Sequence, residues 1–210
     1  FGVMASFSSF FSHHISTMEG GVVLTDDEEL YHILLCLRAH GWTRQLPDTN
    51  LITGNKSLDP FEESFRFVLP GYNLRPLELS GAIGLEQLKK LPGIIRGRQK
   101  NARFFTQLMH KNPRVSIQKE IGNSSWFGFG LVARQESGFT RRELRSFLEK
   151  SGVEYRPIVA GNFAEQDMMK HMNVEVVGNL PNASYIQKHG LFIGNHHYDI
   201  TDSLAFLRHI

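Results

Sequence analysis

The stretch Ser8-Ser9-Phe10-Phe11-Ser12-His13-His14-Ile15-Ser16-Thr17-Met18-Glu19-Gly20-Gly21 sets two adjacent histidines and a pair of glycines between two apolar runs. Upstream of it, Phe1-Gly2-Val3-Met4-Ala5-Ser6-Phe7-Ser8 has no initiator Met and reads as a strand already under way, so an upstream part of a larger domain is expected. Downstream, Gly20-Gly21-Val22-Val23-Leu24 reads as a second short strand. Its glycines stand where backbone must turn tightly or approach a ligand. A lone histidine near a strand end is usually structural. The residues that flank the pair therefore decide its reading.

Outward from this segment, Thr25-Asp26-Asp27-Glu28 reads as a capping box, with Leu30, Ile33, Leu34 and Leu37 following at helical spacing and an end near His40-Gly41. Residues 43–70 carry Pro47, Gly54, Pro60 and Pro70 and few periodic apolar positions, which predicts a long ordered loop with a function. Residues 76–91 alternate Gly81, Ala82 and Gly84 with Leu77, Leu85 and Leu88, a pattern for a helix packed closely on a neighbour, such as a dimer interface. A second helix is predicted over 92–110, with Ile95, Ala102, Phe105 and Met109 on one stripe and Arg96, Lys100 and Arg103 turned elsewhere. Beyond Pro113 short strands and helices alternate. Strands are predicted at 126–133, 153–158 and 191–193, a helix capped by Thr140-Arg141-Arg142-Glu143, and a last helix over 202–210. Trp126 and Phe127 are read as core.

Composition narrows the function classes. The chain has 210 residues, 41% of them apolar, which suits a folded protein with one substantial core or two small ones. It holds no apolar run of roughly 18 or more residues and no leader-like start, so the reading is cytoplasmic. The net charge of +2 is small and evenly spread, which argues against a nucleic-acid partner. The single cysteine, Cys36, allows no internal disulfide, cysteine-rich zinc site or iron–sulfur cluster, and no metal is expected.

Several segments together resemble one family. The residue 8–21 stretch is similar to the cofactor-lysine segment of the DegT/DnrJ/EryC1/StrS sugar aminotransferases, and counting back from Gly20-Gly21 the family's lysine falls on His13, with His14 as the rival. Leu37-Arg38-Ala39-His40-Gly41-Trp42-Thr43-Arg44 and Pro70-Gly71-Tyr72-Asn73-Leu74-Arg75-Pro76 resemble two further family elements. Arg156-Pro157-Ile158-Val159-Ala160-Gly161-Asn162 and Gly194-Asn195-His196-His197 resemble the family's dehydratase branch more than ordinary aminotransferases.

The resemblance implies an α/β fold: the C-terminal half of a fold-type-I PLP-dependent aminotransferase, with residues 1–91 ending the large cofactor domain and 92–210 forming a linker helix and a small α+β domain. It implies pyridoxal 5'-phosphate cycling through pyridoxamine 5'-phosphate and not covalently bound, because an imidazole cannot make the imine that a lysine makes. An imidazole does titrate near neutral pH, and His13 is the expected catalytic base. Ser8 and Asn73 are the implied phosphate ligands, Asn73 reaching across a homodimer to the partner's cofactor. Arg44, Arg75 and His196 are the implied substrate contacts, the arginines because guanidinium groups pair with carboxylates and diphosphates. The implied reaction is 3-dehydration of a GDP-4-keto-6-deoxymannose substrate with glutamate as amino donor, and no membrane or nucleic acid is involved. The related CDP-sugar branch that holds an iron–sulfur cluster is excluded by the cysteine count. Two alternatives stay open: an aminotransferase whose lysine lies elsewhere, although Lys56, Lys89 and Lys90 sit in loop or helix contexts, and a truncated non-catalytic homologue acting as an interaction module.

Overall fold

An antiparallel hairpin opens the fold: β1 (Met4–Ser8) pairs with β2 (Gly21–Thr25) so that Ser8 lies opposite Gly21 and Met4 opposite Thr25. The structure, a computed structural model, describes residues 2–210; Phe1, the first residue of the expected strand, lies outside the described residues. The chain divides into two compact units, residues 1–90 and 91–210.

In the first unit the hairpin leads into α1 (Glu28–Leu37). The expected cap at Thr25 is displaced by two residues. Asp27 is the N-cap and accepts from the Leu30 N–H at 2.9 Å, while the Thr25 hydroxyl accepts from the Asp27 N–H and stabilises the turn before it. The helix buries His32, Leu35 and Cys36, whereas the predicted stripe of Leu30, Ile33, Leu34 and Leu37 is only half-buried. His32 can be buried because its Nδ1 accepts from the Leu51 N–H, and burial pushes the Cys36 thiol above its usual pKa.

Residues 43–70 are more built than a loop. They contain a 3₁₀ turn at Thr43–Gln45, a small ladder of β3 (Thr49–Asn50) with β4 (Gly54–Asn55), and α2 (Pro60–Ser64). Polar side chains hold these pieces. Asn50 Oδ1 accepts from the Ile52 and Thr53 N–H groups, and the Glu63 carboxylate accepts from the Thr43 hydroxyl, the Ser57 N–H and Arg66. Such local side-chain-to-backbone bonds leave no apolar periodicity for a pattern search to find.

The two helices expected over 76–91 and 92–110 are one, α3 (Glu78–Met109), with Pro92 inside it. A proline in a helix interior removes one N–H and costs about 3 kcal/mol. Here Pro92 lies on the exposed side, and the buried run of Ile94, Arg98, Ala102, Phe105 and Met109 just beyond it outweighs the break.

The second unit is built on a four-stranded antiparallel sheet in the order β5 (Val115–Ile117), β6 (Gly128–Ala133), β8 (Gly190–Gly194), β7 (Tyr155–Arg156). Phe129, Leu131 and Ala133 alternate along β6 toward the core; Phe129 and Leu131 register with Ile193 and Leu191 of β8, and Ala133 with Val115 of β5. Against this face pack Phe105 and Met109 of α3, Leu144 and Leu148 of α4 (Arg141–Lys150), and Leu204 of α6 (Thr201–Leu204). The capping box on α4 forms as the sequence predicts, Thr140 with Glu143. The strands predicted at 126–133 and 153–158 are shorter than expected, the one predicted at 191–193 extends over Gly190–Gly194, and α5 (Pro181–His189) has no counterpart in the sequence reading. The final helix is also broken. After α6 the chain tightens into a 3₁₀ segment over Ala205–His209.

Phe105 is fully buried and stacks on Phe129 with ring centroids 4.2 Å apart. Phe105→Ala is expected to destabilise the second unit by about 3–5 kcal/mol, against less than about 0.5 kcal/mol for Arg103→Ala on the exposed side. Urea denaturation followed by fluorescence of Trp126, whose ring lies 6.3 Å from that of Phe105, checks this; equal midpoints for the two variants would refute it.

Candidate functional site

The end of the β1–β2 hairpin is a turn locked by small polar groups. The Ser9 and Thr17 hydroxyls are bonded at 2.6 Å, the Thr17 N–H donates to the Ser9 carbonyl at 2.9 Å, and the Ser9 N–H donates to the Gly20 carbonyl at 2.9 Å. Thr17 is buried. These bonds close residues 9–20 into a loop that carries both histidines. Within it Phe10 links two of the predicted site residues: its N–H donates to Ser8 Oγ at 3.3 Å, and its carbonyl accepts from the His13 N–H at 2.9 Å. The Phe10 and His13 rings meet edge-on at 6.2 Å. Ser8 is exposed, and His13 and its rival His14 are both half-buried. The Ser9–Thr17 lock was not recognised in the sequence, although hydroxyls flanking a loop between two strands are a usable signal.

Asn73 lies on a second construction within the same unit, a clasp between the end of α1 and residues 66–74, and Arg75 follows directly after it. The Tyr72 N–H donates to the Leu37 carbonyl, the His40 N–H to the Tyr72 carbonyl and the Leu74 N–H to the Arg38 carbonyl, at 2.7–2.9 Å, and Asn73 bridges Ala39. His40 and Gly41 both adopt left-handed backbone (φ +64° and +84°). A Cβ on Gly41 would stand 1.6 Å from the Leu69 carbonyl oxygen, so only glycine permits this backbone contact. Asn73 on this clasp and Arg75 beyond it both have exposed side chains. Arg44, also exposed, sets its guanidinium 4.9 Å from the centre of the Trp42 ring, which Phe65 and Phe67 flank at 5.2 and 5.7 Å. Trp42, Arg44, Lys56 and Phe65 line part of a cavity of about 420 Å³.

His196 belongs to the second unit. The residue is exposed, its ring stacks on Tyr198 at 4.3 Å, and partial desolvation, then His197 and Arg98, push its imidazole below the ordinary pKa. The loop after β7 is held by Glu165, whose carboxylate accepts from Ser184, Asn162 and Gln187 and is thereby kept below the usual carboxylate range. Sequence reading missed this group. Among the described residues no cluster of three or more His, Cys, Asp or Glu could hold a metal ion.

Residues 1–203 match the profile of the DegT/DnrJ/EryC1/StrS aminotransferase family. The chain belongs to that family. Among its curated relatives, a GDP-4-keto-6-deoxy-D-mannose 3-dehydratase of Yersinia pseudotuberculosis is 59% identical over 211 aligned residues, covering 100% of this chain and 54% of the relative. Two solved structures superpose on the whole chain and on 54% of their own: the Escherichia coli 3-dehydratase with bound hydrated PLP, at 56% identity and a TM-score of 0.94, and a 3-dehydratase with a trapped PLP–glutamate geminal diamine, at 55% and 0.95. The chain therefore spans about half the length of the curated relatives it matches, and it has the aminotransferase fold that the sequence predicted.

The hairpin end of this DegT/DnrJ/EryC1/StrS member fits a cofactor held without a covalent bond. Ser8 offers an exposed hydroxyl at a strand end, and the residue opposite it is Gly21, where a Cβ would stand 2.8 Å from the Phe7 carbonyl oxygen, so the backbone there stays bare. No lysine occurs in residues 1–25.

Proposed function

We propose that the protein catalyses the 3-dehydration of GDP-4-keto-6-deoxymannose, with pyridoxal phosphate held non-covalently and glutamate as amino donor. The observation that carries this is the hairpin end with His13 and His14 and no lysine, in a chain 59% identical to a 3-dehydratase. When bound, the cofactor supplies the electron sink that lets the C3–O bond of the sugar break after glutamate has furnished an amino group. The rest falls to the chain. His13 serves as the general base, its backbone held by the bond to the Phe10 carbonyl and its ring edge-on to the Phe10 ring. Ser8 donates its hydroxyl to the phosphate, and Asn73, on its backbone clasp, reaches a phosphate on the partner subunit of a homodimer. Arg44 and Arg75 take the diphosphate or the carboxylate of glutamate, and His196 takes an oxygen of the sugar. A cytoplasmic enzyme is part of the same reading; among the described residues no helix is long and apolar enough to cross a membrane. So is the division into the end of a cofactor domain over residues 1–91 and a small domain over 92–210.

Incubating the full-length protein with GDP-4-keto-6-deoxymannose, pyridoxal phosphate and glutamate, then weighing the sugar by mass spectrometry, tests the reading. Loss of the C3 oxygen is expected. A sugar carrying a new amino group would replace dehydration by amino transfer, and unchanged substrate would refute both.

A further inference from the structure

Two polar side chains sit on the face of α3 where the core expects apolar ones. Asn101 is fully buried and Arg98 is 5% exposed, and burying such groups is unfavourable unless each is bonded. Their bonds converge on the loop after β8. Asn101 Nδ2 donates to the His196 and Tyr198 carbonyls at 2.8 and 2.7 Å, and its Oδ1 accepts from the Ile200 N–H at 3.2 Å. Arg98 donates to the Asn195 carbonyl at 3.1 Å and to the Phe127 carbonyl at 3.0 Å; among the described residues no carboxylate lies within ion-pair distance of it. Asn195 Nδ2 returns a bond to the Arg98 carbonyl, and its Oδ1 accepts from the His196 N–H at 2.8 Å. At Gly97 a Cβ would stand 2.0 Å from the His197 carbonyl oxygen, so helix and loop touch backbone to backbone.

What the scaffold presents is a cluster of three rings, His196, His197 and Tyr198, with centroids 4.1–4.4 Å apart; His196 and Tyr198 are exposed. His196 Nδ1 accepts from the Tyr198 N–H at 3.4 Å, which leaves Nε2 of the neutral ring to carry the proton and donate it. A fixed N–H donor beside an exposed aromatic face suits a pyranose, which offers hydroxyl oxygens at its rim and C–H bonds on its face.

We propose that Asn101 and Arg98 are positioning residues that hold the His196 Nε2–H and the Tyr198 ring against the sugar of the nucleotide-sugar substrate. The inference rests on the dehydratase reading and on His196 as a substrate contact. Asn101→Asp keeps the volume and the acceptor for Ile200 but removes both donors to the loop carbonyls. In the full-length holoenzyme it is expected to raise KM for the nucleotide sugar about 10-fold with kcat within about threefold, as one lost hydrogen bond does. His196→Phe, which keeps a ring and loses the N–H, is expected to match it, and the double variant to be no worse than His196→Phe alone, because both act through one imidazole. Multiplying effects, or a fall in kcat at unchanged KM, would overturn the proposal. Nitrogen NMR of histidine-labelled wild-type protein separates this from failure of the dehydratase reading and does not depend on the variants folding. The His196 Nε2–H form, shifted on adding GDP-mannose, is expected whatever reaction is catalysed. An Nδ1–H form, or a resonance that GDP-mannose leaves unmoved, would overturn the proposal.

Discussion

His13→Asn is expected to lower kcat for dehydration by about 100- to 10,000-fold, the range lost when a positioned general base is removed. Asparagine keeps a polar side chain of related size at the locked hairpin turn, so the Phe10–His13 backbone bond and the Ser9–Thr17 lock survive. KM for the nucleotide sugar and uptake of pyridoxal phosphate are expected to stay within about threefold, because a loss confined to kcat marks a group that acts in the transition state. His14→Asn is expected to change kcat by less than about threefold. Rapid-quench measurement of C3 deoxygenation checks both; the reverse pattern would transfer the base to His14. His13→Lys provides a second readout, since an amine at this position is expected to leave the cofactor bonded to the protein after borohydride reduction.

Gly41→Ala is expected to be the most disruptive single methyl in the first unit. Left-handed backbone costs alanine about 1–2 kcal/mol. Its methyl would also stand 1.6 Å from the Leu69 carbonyl oxygen, which must be displaced together with the segment bonded to residues 37–41. A total of about 4 kcal/mol or more is expected, at the upper end for point substitutions. Gly54→Ala is the matched control. Its φ of +74° is equally left-handed, but nothing lies within 4 Å of the added carbon, so only the backbone cost of about 1–2 kcal/mol applies. Hydrogen exchange of peptides covering residues 37–74 is expected to rise sharply for Gly41→Ala and little for Gly54→Ala; equal profiles would show that the clasp yields.

What the sequence made legible follows from the range of the forces. The hairpin strands, α4 with its Thr140–Glu143 box and the apolar alternation of β6 are local patterns, and each was readable from a few neighbouring residues. The single helix α3 was split at Pro92 because the cost of a proline is local, whereas the packing of Phe105 and Met109 that overrides it is not. Polar hubs were illegible for the same reason. Asn101 and Asn195 are 94 positions apart, and in isolation each looks like a surface residue. At the candidate site, the nearness of Ser8 to His13 is legible because Phe10 bonds both within one turn. The clasp carrying Asn73 was announced only by glycines at 41 and 71, whose meaning depends on which backbone passes beside them.

The order of the sheet in the second unit bears on how it is made. β8 lies between β6 and β7 although it is the last strand in the sequence, so β7 has no neighbour until residues 190–194 emerge. On the ribosome, a nascent chain cut off before Gly190 would leave both flanking strands with bare edges, and such edges invite pairing between chains. Stalling or premature termination there is expected to yield insoluble product rather than a smaller folded one.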